Sequence, residues 1–205
     1  MAADRLAELV HDGFDLGFVS TSEQTTAYAR GLGLEVLDID CVESIDVTID
    51  GADEVGPRLD LIKGLGGALL REKIVASMTE KEVIVVDEFK VVDRLGTSAP
   101  LPVEVCGFAH VATARALEGL GCEPVLRLKD GRPFVTDGGN LIYDCRFDGI
   151  DDPSYLETAI DTIPGVVECG LFVGLTNAVE AYREEDDSVV ELRITDRRAG
   201  PRGSP

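Results

Sequence analysis

Between Asp46 and Lys73 the chain reads DVTIDGADEVGPRLDLIKGLGGALLREK, and the change of period within this stretch restricts the fold more than any other feature. Asp46-Val47-Thr48-Ile49-Asp50 alternates polar and β-branched residues with the two-residue period of a strand, so the side chains at 46, 48 and 50 share one face. Gly51, Asp53 and Glu54 follow at once, then a turn at Gly56-Pro57, then Lys63 at the edge of the cluster Gly64, Gly66 and Gly67. From Ala68 the spacing is helical, which predicts Leu69, Ile74 and Met78 on one side and Arg71, Glu72 and Lys73 on another. Carboxylates and one ammonium are thereby gathered at a strand end.

Such a set suits proton transfer next to a sugar carbonyl. A carboxylate such as Glu72 can move a proton between adjacent carbons if its pKa suits the working pH and it lies within hydrogen-bond reach. Lys63 and the backbone N–H groups freed by the glycines can stabilise the oxyanion that forms as the proton leaves. Asp50 and Asp53 are placed to hold hydroxyls. Singly, each piece has a plainer reading: Asp-Gly as a turn, the glycines as a tight loop, Arg71-Glu72-Lys73 as a solvated helix face. Their joint occurrence in one strand-loop-helix unit is what points to chemistry. The helix N-terminus and Lys63 draw the pKa of Glu72 down and burial draws it up, and the residues alone leave that balance open.

The rest of the chain reads as alternating helices and strands. Ala2–His11 is an amphipathic helix with Leu6, Leu9 and Val10 on one side, followed by a strand over Phe14–Val19. Ser20 and Glu23 fit a capping box for a helix through Arg30 that stops at Gly31 or Gly33, and Leu34–Asp38 is a further strand. After the central helix, Glu82–Val86 is a buried strand, with Asp87-Glu88-Phe89-Lys90 at the same edge. This alternation indicates a parallel α/β sheet with right-handed connections, whose ligands collect at the carboxyl ends of the strands, where Asp50 lies.

Gly96–Pro102 is rich in small residues and proline, and is taken as a domain boundary. Beyond it come a strand at Val103–Val105, a helix at Val111–Leu120, and strands at Glu123–Leu128 and Pro133–Thr136 around a turn at Asp130-Gly131. A strand at Asn140–Cys145, a helix from Pro153 to about Ile160 and a strand at Val166–Phe172 complete a mixed α+β unit without a gathered acid–base set. Asp137-Gly138-Gly139-Asn140 is most simply a turn. The fold expected is therefore α/β, a Rossmann-like parallel sheet flanked by helices with a second, smaller α+β (ferredoxin-like) domain. The first domain takes residues 1–99 and about 173–194, the second 100–172, and 195–205 lacks apolar periodicity and is expected to be disordered.

Charge and cysteine usage narrow the function classes. The net charge of −20 would repel nucleic-acid phosphates, and no apolar run is long enough to span a bilayer. Acidic residues outnumber basic ones 39 to 19 and lysine is rare beside arginine, a balance like that of proteins from KCl-rich, salt-loving cytoplasms. Cys41, Cys106, Cys122, Cys145 and Cys169 are far apart and odd in number, so they read as reduced core thiols of a cytoplasmic protein, with neither a disulfide frame nor a zinc site. His11 and His110 are isolated, and no signal peptide is visible.

The DGADE run at Asp50–Glu54, the IKG-G-A-L-REK run from Ile62 to Lys73, and the PLPVEV and IPGVV segments resemble ribose-5-phosphate isomerase, type A, from Met1 to about Tyr182. The resemblance implies an aldose–ketose isomerase that interconverts ribose 5-phosphate and ribulose 5-phosphate through a cis-enediolate in the non-oxidative pentose phosphate pathway. Glu72 then matches the general base. Asp50, Gly51, Ala52 and Asp53 match a first substrate loop, and Lys63, Gly64, Leu65 and Gly66 a second one, with Lys63 neutralising the enediolate. Lys90 matches a further substrate-contacting lysine. Leu65 stands where the family often has a third consecutive glycine, and its side chain is expected to point away from substrate. No metal or other cofactor is implied, because lysine and N–H groups supply the electrophile. The expected partners are a small-molecule sugar phosphate and further copies of the chain, as a homodimer or homotetramer. The resemblance also implies a first strand and a Gly-Thr-Ser phosphate loop ahead of the first helix, which this sequence does not carry. The competing reading is a non-catalytic sugar-phosphate-binding or regulatory module, which needs no base at position 72; an acyl or CoA transferase suits the lysine and paired aspartates less well.

Overall fold

The computed structural model describes residues 2–192. In chain order its elements begin with α1 (Ala2–His11), α2 (Glu23–Gly31), β1 (Ile45–Asp50), β2 (Glu54–Val55), β3 (Leu61–Ile62), α3 (Leu69–Ser77) and β4 (Thr79–Asp87). They continue with β5 (Leu101–Val105), α4 (His110–Glu118), β6 (Glu123–Leu126), β7 (Leu128–Lys129), β8 (Arg132–Pro133) and β9 (Leu141–Arg146). The last are α5 (Pro153–Asp161), β10 (Val166–Cys169), β11 (Leu171–Phe172), β12 (Ala178–Arg183) and β13 (Ser188–Leu192).

One sheet runs β1-β4-β12-β13, with β1, β4 and β12 parallel and β13 an antiparallel edge. Ile84, Val86, Val179 and Ala181 give it a buried apolar face together with Ala76 of α3. The hairpin of β12 and β13 that closes this sheet lies beyond Phe172, where the sequence alone predicts no element. The second sheet is antiparallel in the order β10-β5-β9-β6, and its β5-α4-β6-β9-α5-β10 connectivity is the split βαβ pattern of ferredoxin-like folds. The β7–β8 hairpin interrupts it, and both turn residues, Asp130 and Gly131, have positive φ, as a two-residue primed turn requires.

A small sheet, β11-β3-β2, joins the two cores. Leu61 and Phe172 face one core while Ile62 and Leu171 face the other, because alternate residues of a strand point to opposite sides. The predicted strand Val166–Phe172 is therefore two strands in two sheets, broken at Gly170. A Cβ there would lie 2.2 Å from the carbonyl oxygen of Lys63 and 3.0 Å from Cδ of Pro102, so only glycine passes.

Several local expectations are corrected. Phe14–Val19 and Leu34–Asp38 meet only as a single parallel bridge, Phe18 to Val36. Phe14, Leu16 and Leu37 remain exposed, and a pair of strands that buries so little is marginal. The cap of α2 is Ser22, which accepts from the Thr25 N–H at 3.0 Å, while Ser20 bonds the Thr26 hydroxyl at 2.6 Å instead. Glu123–Leu128 is divided at Arg127, and Pro133–Thr136 shrinks to the end of β8 and a bridge from Val135 to Leu141. Two of the five cysteines, Cys41 and Cys106, are exposed rather than in the core. The tail expected to be disordered lies outside the described residues.

The face of α3 also differs. Leu69, Glu72, Lys73 and Ala76 form the inward stripe at i, i+3, i+4 and i+7, whereas Ile74 is 45% exposed. This rotation buries Leu69, Val75 and Ala76, and on the same side Glu72 meets Lys63 while Lys73 is held between Glu157 at 3.0 Å and Glu168 at 2.6 Å.

Candidate active site

Asp50 is the last residue of β1, so its carboxylate stands at the carboxyl end of the parallel sheet. The inward face of β1 is its polar one, with Thr48 and Asp50 half-buried, while Val47 and Ile49 are exposed on the other face. Lys63 follows β3, and its backbone N–H donates to the Gly170 carbonyl at 2.9 Å. Two residues on from Leu61, it points to the same side, where its ammonium lies 5.4 Å from the Phe172 ring. Glu72 enters from the first turn of α3, whose backbone N–H groups favour a negative charge.

These three elements bring one cation between two acids. The Lys63 Nζ donates to Asp50 Oδ2 at 2.8 Å, lies 3.3 Å from Glu72 Oε2 and also donates to the Gly51 carbonyl. Its side chain is only 3% exposed. Burial pulls the Lys63 pKa down, yet Asp50 and then Glu72 outweigh it and the net shift is upward, so the ammonium stays charged. For Glu72 burial is the largest effect and raises the pKa; Lys63 opposes it and Asp50 reinforces it, with a net upward shift. The balance that the residues left open is thus settled by desolvation.

The two loops are fastened to each other and to the second sheet. Asp53 Oδ2 accepts from the Leu65 N–H at 2.9 Å, which commits one carboxylate oxygen to the Lys63–Gly66 loop. The Leu65 side chain is exposed. Lys90 Nζ donates to the carbonyl of buried Ala52 at 2.8 Å, placing the lysine against the first loop. Gly67 has φ +88° and sits under the Phe134 ring so closely that a Cβ would lie 2.5 Å from Cζ.

Arg127, Glu82 and the contacts of Asp137 are not signalled by the local sequence, and Glu54, expected among the gathered carboxylates, lies elsewhere. Arg127, in the break between β6 and β7, donates to the carbonyls of Gly64 at 2.9 Å and Leu65 at 3.1 Å, while its other nitrogens engage the carboxylate of Asp144. Glu54, inside the DGADE run, turns away from the site: fully buried, it accepts from the N–H groups of Gly96, Ser98 and Ala99 and anchors the linker. Glu82 of β4 lies beneath Asp50 on the same face, and no local signal distinguishes it from any acid in a strand. Asp137, read as a turn residue, accepts from the Glu23 N–H at 3.0 Å and lies 3.4 Å from Arg71, tying the second sheet to α2 and α3.

A Rossmann-like sheet that ends in a half-buried carboxylate beside a buried ammonium is an arrangement suited to acid–base chemistry. The family model of ribose 5-phosphate isomerase A (phosphoriboisomerase A) matches residues 17–186. The chain belongs to this family, and it is an aldose–ketose isomerase. It is 54% identical over 179 residues to ribose-5-phosphate isomerase A of Gloeobacter violaceus, covering 87% of this chain and 78% of that one. With the enzyme of Thermomicrobium roseum the identity is 49% over 197 residues, covering 95% and 83%. A solved structure of D-ribose-5-phosphate isomerase in complex with phospho-erythronic acid superposes with a TM-score of 0.89 at 37% identity, over 93% of this chain and 84% of that one.

Proposed function

We propose that the chain interconverts ribose 5-phosphate and ribulose 5-phosphate, with Glu72 carrying a proton between C2 and C1 of the open-chain sugar. One observation carries this reading: the buried Lys63 ammonium stands 3.3 Å from the Glu72 carboxylate and 2.8 Å from Asp50. Ionised Glu72 takes the C2 proton, the C–H pair forms the C1–C2 double bond, and the carbonyl pair moves onto O1. The cis-enediolate then carries its charge beside Lys63, where a fixed cation in a poorly solvated space acts strongly and needs no reorganisation. Transfer of the O2 proton to O1 and return of the Glu72 proton to C1 complete the ketose. Glu72 acts in both half-steps, so a raised pKa suits it: the base is strong enough to take the proton and weak enough to give it back.

In this reading Asp50 holds hydroxyls with Lys63, and Asp53 uses the carboxylate oxygen not bonded to Leu65. Gly51, Ala52, Gly64, Leu65 and Gly66 supply the loop backbone around the sugar, and Lys90 approaches from the first loop. Residues 1–99 with about 173–194 form the catalytic unit, and 100–172 the smaller one that braces it through Arg127. The acidic surface suits a KCl-rich cytoplasm, the reaction belongs to the non-oxidative pentose phosphate pathway, and the working form is a homodimer or homotetramer.

Formation of ribulose 5-phosphate from ribose 5-phosphate in molar KCl without added metal tests the reading. The parent chain turns over, and Glu72→Gln loses about 10²- to 10⁴-fold in kcat while still binding the sugar phosphate. Parental turnover by that variant would refute the assignment of the base.

A further inference from the structure

The acid–base cluster contains a carboxyl for which the reaction above has no use. Glu82 is 1% exposed, and its Oε2 has no hydrogen-bond partner among the described residues. The parallel register pairs Thr48 with Glu82 and Asp50 with Ile84, so Glu82 shares the inward face with Asp50 and lies one residue pair deeper, about 7 Å along the strand. Its backbone is held at both polar groups by Asn177, whose Oδ1 accepts from the Glu82 N–H at 2.6 Å and whose N–H donates to the Glu82 carbonyl at 3.0 Å. The neighbouring Thr176 hydroxyl is the other buried side-chain oxygen without a partner among the described residues.

The charges around Glu82 come from Asp50 on β1, Lys63 after β3 and Glu72 on α3. Three acids thus share one ammonium in a space with little water, and such a set retains a proton. Asp50 bonds Lys63 at 2.8 Å and the Gly51 N–H at 2.7 Å, and Glu72 has Lys63 at 3.3 Å and the helix end behind it. Glu82 has no such partner. We propose that Glu82 is a positioning residue that holds the proton of this buried cluster, keeping Glu72 ionised as the base and leaving the Lys63 charge for the enediolate.

This rests on the isomerase reading. Burial first, then Asp50, pushes the Glu82 pKa up to about 7, with Lys63 opposing and Glu72 adding. Above that pH a third negative charge joins those of Asp50 and Glu72 near Lys63 and opposes the charge that develops on the sugar oxygen.

The experiment has two arms. In the first, infrared spectra of the folded parent between pH 6 and 9 are compared with those of Glu82→Gln; this arm needs no turnover, so it survives a failure of the isomerase assignment. A protonated-carboxyl band that is present at pH 6, fades by pH 8.5 and is missing from the variant is expected. In the second, kcat and KM are followed over the same range. The parent should lose about three- to tenfold in kcat between pH 7 and 9, while Glu82→Gln and the apolar Glu82→Leu lack this fall and Glu82→Asp, which retains a titrating carboxyl, restores it. A structural role alone would lower folding without moving the profile. Profiles of Glu82→Gln and Glu82→Leu that superimpose on the parent's, or an unchanged carboxyl band, would overturn the proposal.

Discussion

At the scale of single residues, charge and burial are in tension throughout the site. Lys63 is tolerated in the interior because Asp50 and Glu72 supply the field that water would otherwise provide. Glu82 receives no such compensation, and the consequence is measurable in stability. Its folded pKa of about 7 lies above the value of 4.5 for a free glutamate, so the folded state binds its proton more tightly. The stability it contributes is fully present below pH 4.5 and is lost as the pH rises through 7. That loss amounts to about 3 kcal/mol. Glu82→Leu should therefore be more stable than the parent at pH 8, and less so at pH 5, by denaturant midpoints at constant KCl. An advantage that does not depend on pH would contradict a buried titrating carboxyl. Glu54 shows the opposite case: equally buried, it accepts three backbone N–H groups and serves the fold.

At the scale of elements, the site depends on how short segments are pinned across the interface between two sheets. The path from β10 to β11 passes Gly170 between Lys63 and Pro102, with hydrogen bonds from the Lys63 N–H to Gly170 and from the Gly170 N–H to Pro102. Gly170→Ala puts a methyl group against the Lys63 carbonyl, a backbone atom that cannot turn aside. We expect a loss of about 1–3 kcal/mol in stability and, on the proposed mechanism in which Lys63 faces the enediolate, a drop in kcat on the order of 100-fold. Thermal melts and initial rates check both, and a variant with parental kcat would show that the Lys63 backbone tolerates displacement. The helix α3 is pinned likewise, since Lys73 spans to Glu157 and Glu168 and thereby fixes the rotation that turns Glu72 inward.

At the scale of the whole molecule, the net charge of −20 acts on every element at once. Like charges on a compact surface repel, and salt reduces the repulsion as the screening length shrinks from about 10 Å at 0.1 M to about 3 Å at 1 M. Raising KCl from 0.1 to 2 M should lift the melting temperature by about 5–10 °C. A melting temperature that is flat or falls with salt would show that the acidic surface is not adapted to it. Among the described residues no helix is long and apolar enough to cross a membrane.

Much of this was legible in the residues. The strand ending at Asp50, the glycine loop after Lys63, the helix carrying Glu72 and the alternation that makes an α/β fold depend on local period and on where glycine permits a turn, and those properties travel with the sequence. What the tertiary structure decided depends on neighbours far along the chain. Packing set the side of α3 that faces inward, burying Leu69, Val75 and Ala76 and bringing Lys73 to carboxylates about 85–95 positions away while Ile74 is left exposed. It drew Arg127 and Gly170 to the Lys63 loop, removed Glu54 from the site and added Glu82 to it. Desolvation and Coulomb interaction, which fix how those groups titrate, arise from the shared burial of distant segments and have no counterpart in a local pattern of residues.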